Sequence, residues 1–186
     1  MKINKLDMNM DMERILLTHE QIQERIKELG AQISEDYKGK EIVLVGILKG
    51  VIPFYAAMAQ AITVPVLEDF MSVSSYGAGT VSSGKLIIRK DIDIDIAGKD
   101  VLILEDILDS GRTLRGVVQM FEARKPNSVK ICTLLDKPAG RVEDVQAAYA
   151  GFTVPDAFVV GYGLDYAGYY RNLPYVGILK PEVYSD

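Results

Sequence analysis

Glu105 and Asp106 stand side by side where the apolar run Val101 to Leu104 ends. A third acid follows in a small-residue turn, Asp109-Ser110-Gly111, before Arg112 and Thr113 open a helical pattern through Leu114, Val117, Val118 and Phe121. A helix amino terminus preceded by Ser-Gly presents unpaired backbone N–H groups and the positive end of the helix dipole, so it suits a phosphate. Ionised carboxylates accept hydrogen bonds and never donate them, which suits the two hydroxyls of a ribose. Phosphate and diol sites side by side point to a sugar phosphate, with Mg²⁺ as the companion cation. Taken alone, Asp109 to Thr113 also reads as a helix cap, with Asp109 or Ser110 serving the first-turn N–H groups. The Glu105-Asp106 pair favours a binding site, because exposed adjacent acids at the end of a buried strand have no packing purpose.

The elements that would position these residues follow from periodicity. Val101 to Leu104 is apolar throughout, as expected for a strand buried on both faces of a parallel sheet. The turn then lies at a strand's carboxyl end, where open α/β sheets bind ligands. Thr18 and Gln21 have capping-box spacing, Leu17 and Ile22 could form a hydrophobic staple, and Ile22, Ile26, Leu29 and Ile33 recur on one face, which predicts a helix. Ile42 to Leu48 predicts a strand, and Pro53 lies in the first turn of the helix after it. Val64 to Val73 predicts another strand, with Pro65 near its start. Ser72 to Lys85 holds five serines and three glycines around Tyr76 and reads as a mobile loop of lid length. Ile87 to Ile96 alternates acids with isoleucines, the period of a half-buried strand. A turn at Lys125-Pro126-Asn127, a strand over Val129 to Leu135, a short polar segment over Gly140 to Asp144 and a last core strand over Phe158 to Gly161 complete the pattern. Strand and helix alternate, so a doubly wound, mostly parallel α/β sheet is expected.

The bulk properties bound the function. A chain of 186 residues, 48% hydrophobic and 25% charged, fits a single domain over 1–186. The formal charge of -5 and the lack of a long Lys/Arg run argue against a nucleic-acid partner. No apolar stretch approaches the roughly 20 residues that span a bilayer, and the amino terminus lacks the apolar core of a signal peptide, so a cytoplasmic protein without a membrane partner is expected. The single histidine, His19, beside a helix cap, leaves no Ser-His-Asp triad in a useful place and no Cys/His zinc cluster. Cys132, the only cysteine, sits in an apolar run and reads as a buried, reduced thiol. Neither GxxxxGK[ST] nor GxGxxG is present.

The acid-turn block, with LKG at Leu48 to Gly50, SSYG at Ser74 to Gly77, LLDKP at Leu134 to Pro138 and VVGYGLDYAGYYR at Val159 to Arg171, closely resembles the 6-oxopurine branch of the type I phosphoribosyltransferases. The five blocks cover nearly the whole chain in the family's order. The resemblance implies a core over about 18–161 with a small hood from about 1–17 and 151–186. It implies transfer of a 5-phosphoribosyl group from 5-phospho-α-D-ribosyl 1-diphosphate to N9 of hypoxanthine or guanine with Mg²⁺, and a homodimer or homotetramer. It assigns the ribose hydroxyls and metal to Glu105 and Asp106, and the 5'-phosphate to Asp109, Ser110, Gly111 and Thr113; Arg112 holds a position the family varies and also reads as a solvated charge. The diphosphate falls to Lys49, Gly50, Ser75, Tyr76 and Arg171, with the Leu48–Lys49 peptide cis. The purine falls to Lys137, Phe158, Val159 and Asp165, the last also supporting a second Mg²⁺ through water. Asp109 would lie by purine N7 as general base, electrostatic stabiliser or loop cap. On residues alone, Lys49-Gly50 is a turn with a solvated lysine, Lys137 a surface lysine and Arg171 a surface arginine. Relatives acting on xanthine or a pyrimidine, or serving as nucleic-acid-binding regulators, share the phosphoribosyl motif.

Overall fold

A computed structural model describes residues 2–75 and 86–185. The first helix, α1 (His19–Asp36), begins at the predicted box: Gln21 N–H donates to the Thr18 hydroxyl at 3.3 Å and Thr18 N–H to Gln21 Oε1 at 2.9 Å. Its stripe of Ile22, Ile26, Leu29 and Ile33 is buried, which holds the helix to the sheet.

Strands β2 (Ile42–Leu48), β3 (Val66–Ser75), β4 (Leu86–Lys90), β5 (Asp100–Leu108), β6 (Ser128–Asp136) and β7 (Tyr149–Thr153) form one sheet in the order β4-β3-β2-β5-β6-β7. All neighbours are parallel except β3 and β4. The period of two divides the central strands between layers. Leu44, Leu102, Leu104 and Cys132 pack with α1 and α2 (Ile52–Ala61). Val43, Val45, Val101 and Ile103 pack with Leu114, Val117 and Phe121 of α3 (Arg112–Glu122). Both faces are therefore dry, as the unbroken apolar runs require.

A second, antiparallel sheet has the order β1-β9-β8, built from β1 (Met12–Leu17), β8 (Val159–Val160) and β9 (Val176–Leu179). It carries its own core of Met12, Val160, Tyr170, Leu173, Leu179 and Val183, the last from α4 (Pro181–Tyr184). Tyr170, fully buried, donates to Asp11 Oδ2 at 2.6 Å and so joins the two ends of the chain.

Four features depart from the sequence reading. Ser72 to Ser75 are not loop but the end of β3, paired with β4. The predicted strand Ile87 to Ile96 stops at Lys90, because carboxylates take the backbone donors beyond it. Ile92 N–H bonds to Asp91 Oδ1, and Asp93 and Ile94 N–H both bond to the buried Asp69 Oδ2. Phe158 to Gly161 is not the last core strand: Val159–Val160 belong to the small sheet, and Tyr149–Thr153 is the edge of the large one. Finally, β5 runs to Leu108, so Glu105 and Asp106 lie within the strand rather than past its end. Among the described residues no helix is long and apolar enough to cross a membrane.

Candidate functional site

The carboxyl ends of β2, β5 and β6 carry Leu48, Leu108 and Asp136, and the turns that follow them meet at one edge of the sheet. Two cavities open there. The first, about 250 Å³, is lined by Ile47, Leu48, Val73, Glu105, Thr113 and the loop Asp109-Ser110-Gly111. The second, about 390 Å³, is lined by Lys137, Phe158, Val159, Leu164, Asp165 and Tyr184 among others. Ile107 and Asp109 belong to both, so Asp109 stands in the wall between them. Its Oδ2 lies 2.8 Å from Lys137 Nζ, and Lys137 also reaches Asp156 at 3.6 Å.

The acids are not exposed, contrary to the sequence reading. Asp106 is buried, and Glu105 Oε2 is sealed from solvent with no hydrogen-bond partner among the described residues. Burial and the adjacent Asp106 charge push Glu105 well above the usual carboxylate range. Burial also raises Asp106, against the opposing pull of hydrogen bonds and of Arg171. Such a pair gains from any hydroxyl donor or cation that enters the cavity. Among the described residues no cluster of three or more His, Cys, Asp or Glu could cage a metal. One or two carboxylates are what Mg²⁺ uses when substrate oxygens and waters complete its shell, so this donor set fits it.

Asp106 lies under the Lys49-Gly50 turn. A Cβ on Gly50 would overlap Asp106 Oδ2 and stand 3.3 Å from an Arg171 nitrogen, so only glycine admits this approach. Arg171 donates to the Gly163 carbonyl at 2.6 Å and pairs with Asp165 Oδ1 at 2.6 Å. The other Asp165 oxygen accepts from Gly168 N–H at 2.8 Å. Asp165 thus holds the loop and Arg171, and offers a metal less than Glu105 does. The Leu48–Lys49 peptide is cis. Lys49 is exposed, Arg112 is exposed at the first position of α3, and neither they nor Gly50, Asp106 or Arg171 line the two cavities. Ser75 ends β3, and of the loop expected over Ser72 to Lys85 the rest, residues 76–85 with Tyr76, falls outside the described residues.

Two residues the sequence reading passed over shape the wall. Arg141 donates from Nε to the Asp109 carbonyl at 2.8 Å, and from its two amino groups to the Val145 carbonyl at 2.6 Å, the Leu108 carbonyl at 3.0 Å and the Asp136 carboxylate. Only a guanidinium has enough donors in one plane for this set. Arg141→Lys should leave two or more of these half-buried acceptors unpaired and lower stability by about 2 kcal/mol, or roughly 6 °C in melting temperature. An unchanged melting curve would show that water replaces the guanidinium at no cost. No local pattern marks an arginine that reaches the Leu108 and Asp109 carbonyls at the end of another strand, so nothing in the sequence signalled it.

Gly140 lies so close to Asp109 that a Cβ there would overlap Asp109 Oδ1. The obstacle is the free end of a side chain, so the fold can give way but the carboxylate must turn. If Asp109 has the catalytic role the resemblance implies, Gly140→Ala should lower kcat by about tenfold, since misplacement by around 1 Å costs that much or more, with a melting temperature close to that of the parent. Unchanged turnover would mean that the carboxylate's position is not critical.

The one cysteine, Cys132, is fully buried and its thiol is pushed far up by burial, which removes it as a nucleophile. A doubly wound, mostly parallel sheet whose strand β5 carries paired acids and leads through Asp109-Ser110-Gly111 into α3, beside a small antiparallel sheet, is the type I phosphoribosyltransferase fold. Residues 14–167 match the phosphoribosyl transferase domain, and the chain belongs to that family. The hypoxanthine-guanine phosphoribosyltransferase of Bacillus subtilis strain 168 is 54% identical over 179 residues, 96% of this chain and 99% of that protein. A crystal structure of a hypoxanthine phosphoribosyltransferase from Staphylococcus aureus shares 52% identity and a TM-score of 0.94, covering 100% of both chains. The bifunctional protein TilS/HprT of Listeria monocytogenes serotype 4b is 52% identical over 179 residues; the chain spans 28% of that protein's length.

Proposed function

We propose that this protein transfers the 5-phosphoribosyl group of 5-phospho-α-D-ribosyl 1-diphosphate to N9 of hypoxanthine or guanine, yielding IMP or GMP and diphosphate. The observation that carries this reading is the shared wall: a phosphate-type cavity and an aromatic-lined cavity meet at Asp109. A base in the second cavity and a ribose 5-phosphate in the first would meet beside that carboxylate.

The N–H groups that open α3, with the hydroxyls of Ser110 and Thr113, hold the 5'-phosphate. Glu105 and Asp106 accept from the ribose hydroxyls and are the residues that would also hold Mg²⁺, which when bound neutralises the leaving diphosphate. Gly50 and the neighbouring Lys49 N–H, with Arg171, receive that diphosphate. As the C1–oxygen bond breaks, its electron pair leaves with the diphosphate, N9 of the base bonds to C1, and the purine's surplus proton is taken or shared by Asp109 at N7. Catalysis rests on position and fixed charge rather than on a covalent nucleophile.

Incubation with the donor, Mg²⁺ and each of hypoxanthine, guanine, xanthine and adenine tests the reading. Nucleotide should form with the first two. Absence of product from every base, or product from adenine alone, overturns it. We further propose that the chain acts as a single domain, as a homodimer or homotetramer, in the cytoplasm. Light scattering and cell fractionation test these points.

A further inference from the structure

Phe158, which forms part of the second cavity, does not stand alone. Its ring is stacked on Tyr184, with centroids 4.9 Å apart and planes 22° from parallel, and meets Tyr166 edge-on at 5.5 Å. Tyr184 lines the same cavity, whereas Tyr166 does not. The two stacked rings come from distant parts of the chain, so something must hold them in register. The antiparallel pairing of β8 with β9 places Val159 opposite Ile178, and Leu179 N–H donates to the Phe158 carbonyl at 2.9 Å. Beyond β9, Lys180 N–H donates to the Asp11 carbonyl at 3.0 Å and its Nζ to the Met10 carbonyl at 2.8 Å. Val183 is buried in the core of the small sheet, one residue before Tyr184. Lys180, tied to the first strand's approach just before the single turn of α4, and the buried Val183 within that turn therefore hold the backbone that carries the Tyr184 ring.

Aromatic rings in direct contact have centroids roughly 4.5–7 Å apart, so nothing flat fits between these two. Yet the cavity still measures about 390 Å³ with the rings touching, so Tyr184 does not plug it. One face of Phe158 is covered by Tyr184, and a base entering the cavity would use the other, with Ile107 and Leu164 supplying further apolar wall. Phe158 is 38% exposed and precedes a two-residue strand. Without the second ring only the edge-on contact with Tyr166 would restrain its side chain, and each side chain immobilised on binding weakens the complex.

We propose that Tyr184 is a positioning residue for the base: it backs Phe158, fixes the plane of that ring before substrate arrives, and thereby raises affinity for the purine without entering the chemistry. This rests on the assignment of the second cavity to the base. The ring, not the hydroxyl, does this, since no hydrogen bond from the Tyr184 hydroxyl is needed to stack.

The test is steady-state kinetics with hypoxanthine and the phosphoribosyl donor varied in turn. Tyr184→Ala should raise the KM for hypoxanthine about tenfold, the order expected when a stacked pair is lost and a side chain must be ordered on binding. Its kcat and donor KM should stay within about twofold of the parent. Tyr184→Phe should restore parental values, and Tyr184→Leu, which keeps apolar bulk without a flat ring and so guards against loss of fold, should fall between. An unchanged hypoxanthine KM in Tyr184→Ala overturns the proposal, and a lowered one would show that the ring obstructs the cavity. Equal losses for both substrates, accompanied by a lower melting temperature, would reduce Tyr184 to a fold element and also overturn it. Lys137→Gln, measured alongside, separates the two levels. If it shifts the choice of base while Tyr184→Ala does nothing, only this proposal fails; if neither moves any purine parameter, the cavity assignment fails as well.

Discussion

Asp109→Asn should lower kcat by roughly 10²-fold or more, with a smaller change in donor KM, the usual consequence of losing a general acid-base group. The expectation comes from placement. Asp109 is the one acid common to both cavities, and its Oδ2 sits 2.8 Å from Lys137 Nζ at their boundary. Asparagine keeps the size and shape of the side chain but holds neither negative charge nor proton affinity. The loop itself should survive, because it is held by other groups: Arg141 grips the Asp109 carbonyl, and Val142 and Glu143 N–H both donate to the Ser110 carbonyl. Single-turnover rates measured with donor and base pre-bound separate chemistry from binding and product release. A rate near that of the parent would make Asp109 a loop element and would shift the burden of catalysis to phosphate and diphosphate positioning.

The contrast between Asp109 and Arg141 shows how far the sequence could be read. Asp109 was legible because its setting is local: an apolar strand, acids, Ser-Gly and a helical stripe follow one another within a short stretch. Helix α1 was legible for the same reason, since capping box and apolar stripe are neighbours in sequence. Of the small sheet only the strand at Val159–Val160 was legible, and its pattern placed it in the core sheet; the other two strands were not. Met12–Leu17 and Val176–Leu179 pair across almost the entire chain, and no periodicity within either announces the partner. The overextended strand at Ile87 to Ile96 failed differently. Its alternation was real, but the alternating residues are aspartates, whose carboxylates compete for backbone N–H groups, and the distant Asp69 supplied the winning acceptor. The burial of Asp106 was likewise out of reach, because it depends on the turn after β2 that lies against it and on Arg171 beside that turn. Long-range contacts of this kind also decide Tyr184, whose role comes entirely from the ring on which it rests.

Lys137→Gln should narrow the preference for 6-oxopurines over adenine, which in the parent protein is expected to be roughly 10³-fold or more. Lys137 follows β6 directly, its N–H bonded to the Leu108 carbonyl at 3.0 Å, and its ammonium is largely withdrawn from solvent beside Asp109. Hypoxanthine and guanine present an acceptor at the 6-position and a donor at N1; adenine presents the reverse. An ammonium has three donors and no lone pair, so it welcomes the 6-oxygen and leaves the adenine amino group facing another donor. Each polar group left unpaired in a buried site costs about 1–3 kcal/mol, and more when one is charged. Glutamine can turn either end of its amide toward the base, so it removes the penalty against adenine while weakening the contact to hypoxanthine. It also frees Asp109 from its ion pair, which should lower turnover on both bases alike and therefore cancels in their ratio. The decisive quantity is kcat/KM for hypoxanthine divided by that for adenine, in both proteins. A ratio that does not move would assign base selection to the backbone around Val159, and would leave Lys137 the simpler task of holding Asp109 in the wall between the two cavities.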